Sequence, residues 1–474
     1  MRHNLTDLDY KRWDFHCETV PVVYVKPNVS LNLNVMQKWK LQAFLLLTIV
    51  FFCSIPAFSQ TMDWTKQVIT VNSGRFEFAP PIQDYVTAQT FNLSEQTSSE
   101  FNTIFTQSAQ DILVSGNIAY VNAQDSIIKY NLNTFQRVAA IADSGLGKLA
   151  IYNNRLIVSK QYPLSRYFVE VLDTTDLSII AQVDDISGDC SGIAVTSDTV
   201  YVAVNGGWMG TEGKIAVIDP STWTMIREIN FGAEAVGIYN LYAFGGKIYS
   251  VNKTPYGMPA IGSISIYDPS NGSHINKMIG VKVGNGTGIK DAILYVMMNE
   301  GIGSFNLTSL EIEDTTIVSD PGSAMFMYIL SSLVDTINDR LYSNIGDFMT
   351  PGYCLVSDLT GDSITSYPTG ISSDVVGIDY RAYPIGIADY NNDLSLLSIY
   401  PNPCAEKITL SYTGKQHIGE IMILDVYGKS VYNQAGKLSA SGKQEIAVGE
   451  LPSGLYCLVL KTSGNPVIAK FIKH

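Results

Sequence analysis

Ile218-Asp219-Pro220-Ser221-Thr222 is one copy of a phrase that returns along the chain: an apolar strand end, an Asp or Asn, then a turn of Pro, Ser or Thr. The other copies are Tyr130-Asn131-Leu132-Asn133-Thr134, Leu172-Asp173-Thr174-Thr175, Tyr267-Asp268-Pro269-Ser270, Phe305-Asn306-Leu307-Thr308 and Ser357-Asp358-Leu359-Thr360. Phe91-Asn92-Leu93-Ser94 is a weaker first copy. The Asx positions 92, 131, 173, 219, 268, 306 and 358 are separated by 39, 42, 46, 49, 38 and 52 residues. An Asx side chain can accept from the backbone two residues on, so its role here is mechanical: it sets the turn. A period in the forties built from short strands is the mark of a β-propeller blade.

Alternation and turn signals divide the clearest copy into four strands, Gly192 to Thr196, Thr199 to Asn205, Lys214 to Asp219 and Met225 to Ile229. Each is too short to bury a face alone, so neighbouring repeats must stack to supply a core. Seven Asx turns predict an all-β fold, a seven-bladed β-propeller over residues 60–384. The N-terminal copy has only three strands, Val68 to Asn72, Tyr85 to Asn92 and Phe101 to Phe105. The expected fourth is a C-terminal inner strand, Asp374 to Tyr380, which closes the ring and removes an open edge.

The composition agrees with strands and turns: 27 Tyr, 38 Gly and 18 Pro in 474 residues. With 46% hydrophobic residues the chain has ample surface to bury and is not disordered. The net charge of −13 argues against a nucleic-acid partner. The charge is uneven. Residues 60–394 hold 17 basic and 35 acidic residues, a balance of −18, whereas 395–474 hold eight and five, or +3. Such asymmetry marks a domain boundary, placed in the polar linker 385–394.

Residues 1–59 read as an address. Met36-Gln37-Lys38-Trp39-Lys40 is basic, Leu41 to Cys53 apolar, and Ile55-Pro56-Ala57-Phe58-Ser59 ends in small residues, the pattern of a secretory signal peptide over 36–59. Cleavage after Ser59 leaves Gln60 as the new N-terminus and no membrane span in the mature chain. Residues 1–35 sit awkwardly upstream, and translation is expected to start at Met36. An uncleaved anchor over Leu41 to Phe58 is the alternative. Phe51-Phe52 before Cys53 is too bulky for a lipid-attachment box.

After the linker and the segment Leu397 to Pro403 come short stretches with strand character: Lys407 to Tyr412, Glu420 to Val426, Ser430 to Asn433, Gln444 to Val448, Leu455 to Lys461 and Val467 to Ile472. They predict a small antiparallel β-sandwich over 395–474. Tyr400-Pro401-Asn402-Pro403, Asp425-Val426-Tyr427-Gly428 and Leu451-Pro452-Ser453-Gly454-Leu455-Tyr456, followed by the basic end Lys470 to His474, resemble the type IX secretion C-terminal sorting domain. The resemblance implies that the outer-membrane translocon is a partner. It also implies that the tail is then cut off or exchanged for a surface anchor, leaving the protein secreted or attached to the outer-membrane surface. A sandwich domain with a binding role of its own is the alternative.

The strand anchors Ala119-Tyr120-Val121, Val200-Tyr201-Val202, Lys247-Ile248-Tyr249 and Ile293-Leu294-Tyr295-Val296, with the opening Val71 to Phe76, resemble YncE-like seven-bladed propellers of Bacteroidetes-type secreted proteins. The resemblance covers about residues 65 to 384. It implies fold more than function. Members include surface proteins that bind small ligands such as cobalamin, and related propeller families include lactonases.

The residues offer little catalytic chemistry. His274 is the one His of the propeller region, expected in the solvated loop Ser270 to His274, and a lone His builds no multi-His metal site. No catalytic residue, metal site or cofactor is predicted. Cys190, Cys354, Cys404 and Cys457 read as structural, with a Cys404–Cys457 pairing conceivable. Val283-Gly284-Asn285-Gly286-Thr287-Gly288 is expected to be a turn.

One positive signal remains. In an up-and-down blade the connections from second to third strand share a face with those from one blade to the next. The former carry Phe76, Tyr162, Trp208, Met209, Tyr256, Met258, Phe348 and Met349. Apolar side chains gathered on one rim predict a ligand-binding face, for a small molecule or a surface protein. The alternatives are a metal-assisted lactonase or hydrolase using channel carboxylates, and a surface protein–protein scaffold.

Overall fold

A computed structural model describes residues 60–77, 84–93, 95–164, 166–259, 261–299, 301–322, 326–385, 397–414, 417–425, 429–435, 442–462 and 466–474. The expected signal peptide, the residues upstream of it and all of the expected linker 385–394 except Ile385, which is the last residue of a strand, lie outside these. Strands make up 63% of the structure, and the only helical element among the described residues is the 3-10 turn Ala233–Ala235.

The repeats are four-stranded antiparallel sheets in which chain order and spatial order agree. The first sheet uses β1 (Gln60–Asn72), β2 (Val86–Asn92) and β3 (Thr97–Ile104). The second has β4 (Ala109–Ser115), β5 (Ile118–Ala123), β6 (Ser126–Asn131) and β7 (Gln136–Ala142). The third has β8 (Leu146–Tyr152), β9 (Arg155–Lys160), β10 (Val169–Asp173) and β11 (Ile179–Gln182). The fourth has β12 (Cys190–Val195), β13 (Val200–Val204), β14 (Lys214–Asp219) and β15 (Thr224–Asn230). The fifth has β16 (Ile238–Phe244), β17 (Lys247–Asn252), β18 (Ser263–Asp268) and β19 (Ser273–Met278). The sixth has β20 (Val283–Lys290), β21 (Ile293–Met298), β22 (Gly301–Asn306) and β23 (Glu311–Ser319). The last has β24 (Tyr328–Asp335), β25 (Arg340–Gly346), β26 (Tyr353–Asp358) and β27 (Ser363–Pro368). β28 (Val375–Ile385) then returns to the first sheet and pairs with β1, from Val71↔Val375 out to Gln60↔Ile385. The result is an all-β, propeller-like fold.

Burial explains the order within a sheet. All five residues of β13 are buried, whereas β15 alternates mostly between exposed and half-buried positions. Inner strands therefore carry the apolar runs, and the outermost strand tolerates Arg227 and Glu228, charges that discourage edge-to-edge pairing. Between sheets the cores are shared. Ile69 and Val86 pack with Ile112 and Val121, Tyr120 and Ile127 with Leu156 and Leu172, and Ile157 with Val202 and Ala216. Further along, Ile215 meets Ile248 and Tyr267, Val251 meets Leu294 and Phe305, Ile302 meets Leu341, and Tyr342 and Val356 meet Val68 and Phe91. Each fully buried aliphatic or aromatic side chain contributes roughly 1.5–3 kcal/mol. The first strands touch in the order β4, β8, β12, β16, β20, β24, β28, and β28 touches β4.

The Asx residues do the work read from the sequence. Asn131, Asp173, Asp219, Asp268, Asn306 and Asp358 each accept, through Oδ1, from the backbone N–H two residues on, at 2.8–3.0 Å. Asn92 is the weak copy, accepting from Glu95 at 3.3 Å.

Two expectations need correction. Val283 to Gly288 is the first part of strand β20, not a turn; its glycines belong there because a Cβ on Gly286 would lie 2.6 Å from the Tyr242 hydroxyl. His274 is exposed as expected, but it lies within β19, opposite Tyr267, because its ring stacks on Phe231 with centroids 4.6 Å apart.

The 397–474 region has two sheets that enclose one core of residues such as Ile408, Leu410, Ile421, Leu458 and Phe471. The first is built from β29 (Leu397–Tyr400), β30 (Lys407–Tyr412) and β33 (Lys443–Ala447). The second orders β32 (Ser430–Ala435), β31 (Ile418–Leu424), β34 (Gly454–Thr462) and β35 (Val467–Lys473).

The Asx turns generate two predictions. Asn306 also accepts from Ser309 N–H and donates from Nδ2 to Glu313 at 2.7 Å, so Asn306→Ala removes three bonds and should lower stability by about 1–3 kcal/mol in a urea titration. Hydrogen bonds from the turn hold the carboxyls of Asp173, Asp219, Asp268 and Asp358 below the usual aspartate range. The unfolded chain then takes up protons first. The stabilisation is complete above about pH 4 and is lost as pH falls through the folded values. Replacing the four with Asn should flatten the acid limb of a stability–pH curve; an unchanged limb would refute the assignment.

Candidate functional site

The eight rim candidates fall where the topology sends second-to-third strand connections. Phe76 lies between β1 and β2, Tyr162 between β9 and β10, and Trp208 and Met209 between β13 and β14. Tyr256 and Met258 lie between β17 and β18, and Phe348 and Met349 between β25 and β26. All eight are exposed, Tyr162 by 82% and Trp208 and Tyr256 by 75% each.

The structure brings some of them together. The rings of Trp208 and Tyr256 stand 5.7 Å apart, tilted by 48°. Their connections meet over Gly237: a Cβ on Gly210 would lie 3.1 Å from its Cα and 3.9 Å from Pro255 Cβ. Phe348 lies beside Tyr328, with centroids 6.2 Å apart. Arg75, next to Phe76, donates from Nη2 to Met349 O at 3.1 Å and so ties the first connection to the last. Beneath the Trp208 loop lies Asp189, whose carbonyl accepts from Asn205 N–H at 3.0 Å. Burial pushes the Asp189 carboxyl up, against a hydrogen bond from the Tyr162 backbone.

The sequence reading missed a charged group at the starts of the first strands. Six of these carry a register shift at the same level, between Ala109 and Asp111, Leu146 and Leu149, Cys190 and Ile193, Ile238 and Asn240, Val283 and Gly286, and Ile329 and Ser331. The extra residues turn side chains and backbone groups towards adjacent sheets. Asp111 accepts from Leu149 N–H at 2.8 Å, Asn240 from Gly286 N–H at 2.8 Å, and Ser331 Oγ donates to Ser373 O at 2.7 Å. Ser73 Oγ accepts from Ala109 N–H at 2.8 Å and donates to Asp374.

Lys148 stands in the midst of this group. It pairs with Asp111 at 3.2 Å and donates to Gln110 O at 2.9 Å, while its ammonium lies 5.9 Å from the centre of the Tyr239 ring. Burial pushes that ammonium down, but Asp111 and its neighbours outweigh it and hold the pKa above the usual lysine value. Burial raises the Asp374 carboxyl to about 6, against the Ser73 hydrogen bond and the Lys148 charge. Lys253 Nζ lies 4.1 Å from the centre of the same Tyr239 ring. The only signals for this group in the sequence are isolated polar residues in apolar strands, which by themselves carry no spacing.

Among the described residues, no three His, Cys, Asp or Glu side chains are grouped to hold a metal ion. Cys190, Cys354, Cys404 and Cys457 are free thiols, so Cys404 and Cys457 are not bridged. Burial pushes the Cys354 thiol up to about 12, which leaves it unreactive.

In the tail, the motif residues converge on the last strand. Asn402 donates from Nδ2 to Lys470 O at 3.0 Å and accepts from Ile472 N–H at 2.9 Å, while Tyr400 ends β29 and Pro401 and Pro403 lie between β29 and β30. Gly454 pairs with Lys473 and Tyr456 with Phe471, and the last two rings stack 5.6 Å apart. Tyr456 Oη donates to Pro452 O at 2.8 Å. Asp425 and Lys429 close a turn, exchanging bonds of 3.0 Å; Gly428, inside it, lies outside the described residues.

Residues 398–474 match the family described as the secretion system C-terminal sorting domain. No curated protein matches the chain. Among solved structures, the chain is similar to hydrazine synthase of Kuenenia stuttgartiensis, at 16% identity and a TM-score of 0.46 over 59% of this chain and 96% of that one. It is similar to the computationally designed Ika8 protein, at 13% identity and a TM-score of 0.44 over 65% and 96%. A third is PorZ, a surface component of the type IX secretion system of Porphyromonas gingivalis, at 11% identity and a TM-score of 0.35 over 82% and 73%. The sorting domain makes the protein a type IX export substrate, secreted or displayed at the cell surface. Among the described residues no helix is long and apolar enough to cross a membrane.

Asn402 is the residue through which the first motif holds β35. Asn402→Ala should cost about 1–2 kcal/mol locally. The measurement is amide exchange in the full chain: it should speed up across residues 467–474 and leave β13 unchanged. Equal protection in both proteins would remove Asn402 from that role.

Proposed function

We propose that this exported protein is a seven-bladed, YncE-like propeller, closed by the pairing of β28 with β1, whose exposed rim binds a ligand. Seven four-stranded sheets among the described residues of 60–385 support the blade number, and the packing of Tyr342 and Val356 on Val68 and Phe91 supports closure. Residues 36–59 serve as the signal peptide in this reading. The sorting tail delivers the propeller to the outside, where its loop face meets the ligand.

The observation that carries the reading is the Trp208–Tyr256 pair. Two large rings, each three-quarters exposed, stand side by side on neighbouring connections whose backbones meet at a glycine. Exposed rings on a firm base make an apolar platform available at little entropic cost. The platform suits a flat apolar surface on a small molecule.

A thermal-shift screen of the purified protein against corrinoids, haem, glycans and lactones tests this, with Trp208→Ala alongside. A ligand at about 100 times its Kd should stabilise the protein by about 2.7 kcal/mol, and Trp208→Ala should abolish the shift. No shift with any class would sink the small-ligand reading and point to a protein partner.

A further inference from the structure

The rim pair and the charged group below it share one connection. Lys253 and Tyr256 are three residues apart, so their Cα atoms are separated by at most about 10–11 Å. Tyr256 faces outward beside Trp208, whereas Lys253 lays its ammonium over the Tyr239 ring. The backbone at Lys253 is held on both sides. Its N–H donates to Gly237 O at 2.8 Å, and Thr254 N–H donates to Val283 O at 2.9 Å. The approach to Gly237 is close: a Cβ there would lie 2.2 Å from Lys253 O, and φ is +84°. The cation is therefore mounted on rigid backbone rather than on a free loop.

Its charge is uncommitted. Lys148, on the same ring, is taken up by Asp111 and Gln110 O. Among the described residues Lys253 Nζ has no hydrogen bond or ion pair, and the face of Tyr239 is its partner. The ammonium of half-buried Lys253, set against a π-face, retains donors that water or an anion must satisfy.

We infer that Lys253, on the Tyr239 ring, is the anion subsite of the rim, and that the ligand is a small organic carboxylate with a flat apolar body that lies against Trp208 and Tyr256. This rests on the rim reading and adds the ligand's charge to it. A single negative charge fits better than a phosphate dianion, because Asp111 and Asp374 line the same group and repel excess negative charge. Against the overall acidity of the region, one free cation behind an aromatic pair selects monoanions from neutral analogues.

Isothermal titration of the full chain with 2-naphthoate and its neutral isostere 2-naphthamide tests the assignment, using the wild type, Lys253→Gln and Trp208→Ala. The wild type should bind the carboxylate at least tenfold more tightly than the amide. Lys253→Gln should remove that preference without moving the melting temperature, and Trp208→Ala should weaken both probes. Equal affinity for the two probes, or a carboxylate preference that survives Lys253→Gln, overturns the anion subsite and leaves the rim standing. Binding of neither probe overturns the carboxylate assignment, while the rim reading is decided separately by the thermal-shift screen.

Discussion

Eleven residue pairs between β1 and β28, from Val71↔Val375 to Gln60↔Ile385, join the two ends of the repeat region. No sheet of four short strands can bury both faces alone, so each depends on the next, and the chain of dependence needs somewhere to end. The register is held by more than backbone. Gln67 donates to the buried Asp379 carboxylate at 2.7 Å, Arg381 Nη2 donates to it at 2.7 Å, and Thr65 reaches Asp335 in the last sheet at 2.9 Å. A buried carboxylate without such partners would cost several kcal/mol, so this cluster tolerates few other registers.

The same dependence shapes the middle of the molecule. Where first strands converge, bulges at one level let polar groups of neighbouring sheets bond one another. Lys148 on β8 reaches back to Asp111 on β4 and forward to Tyr239 on β16, skipping the sheet between. Such reach is possible only where the sheets crowd together. The connections that carry Trp208 and Tyr256 leave the second strands of their sheets and meet this group at Gly237, to which Lys253 N–H donates at 2.8 Å.

The tail obeys a different logic. Its three motifs lie dozens of residues apart, yet two of them meet on β35, through the Asn402 bonds to Lys470 and Ile472 and the stacking of Tyr456 on Phe471. Part of what makes the motifs recognisable is thus a folding requirement: they hold the basic terminal strand in place. The acidic region ahead of them carries charge of the opposite sign, consistent with two units of separate purpose.

The Asx turns were legible because their chemistry is local: an acceptor and a backbone N–H two residues on need no distant partner to meet. The strand period and the sorting motifs were legible for related reasons, since each follows from spacing along the chain. Val283 to Gly288 misled, because glycines that signal a turn in isolation are here required by the Tyr242 ring packed against a strand. The sequence by itself determined an export tail and a repeated β unit. Only the tertiary structure decided that Trp208 meets Tyr256, and that Lys148 and Lys253, more than a hundred residues apart, approach one tyrosine ring, because convergence of strands from separate repeats leaves no trace in the local pattern of any one of them.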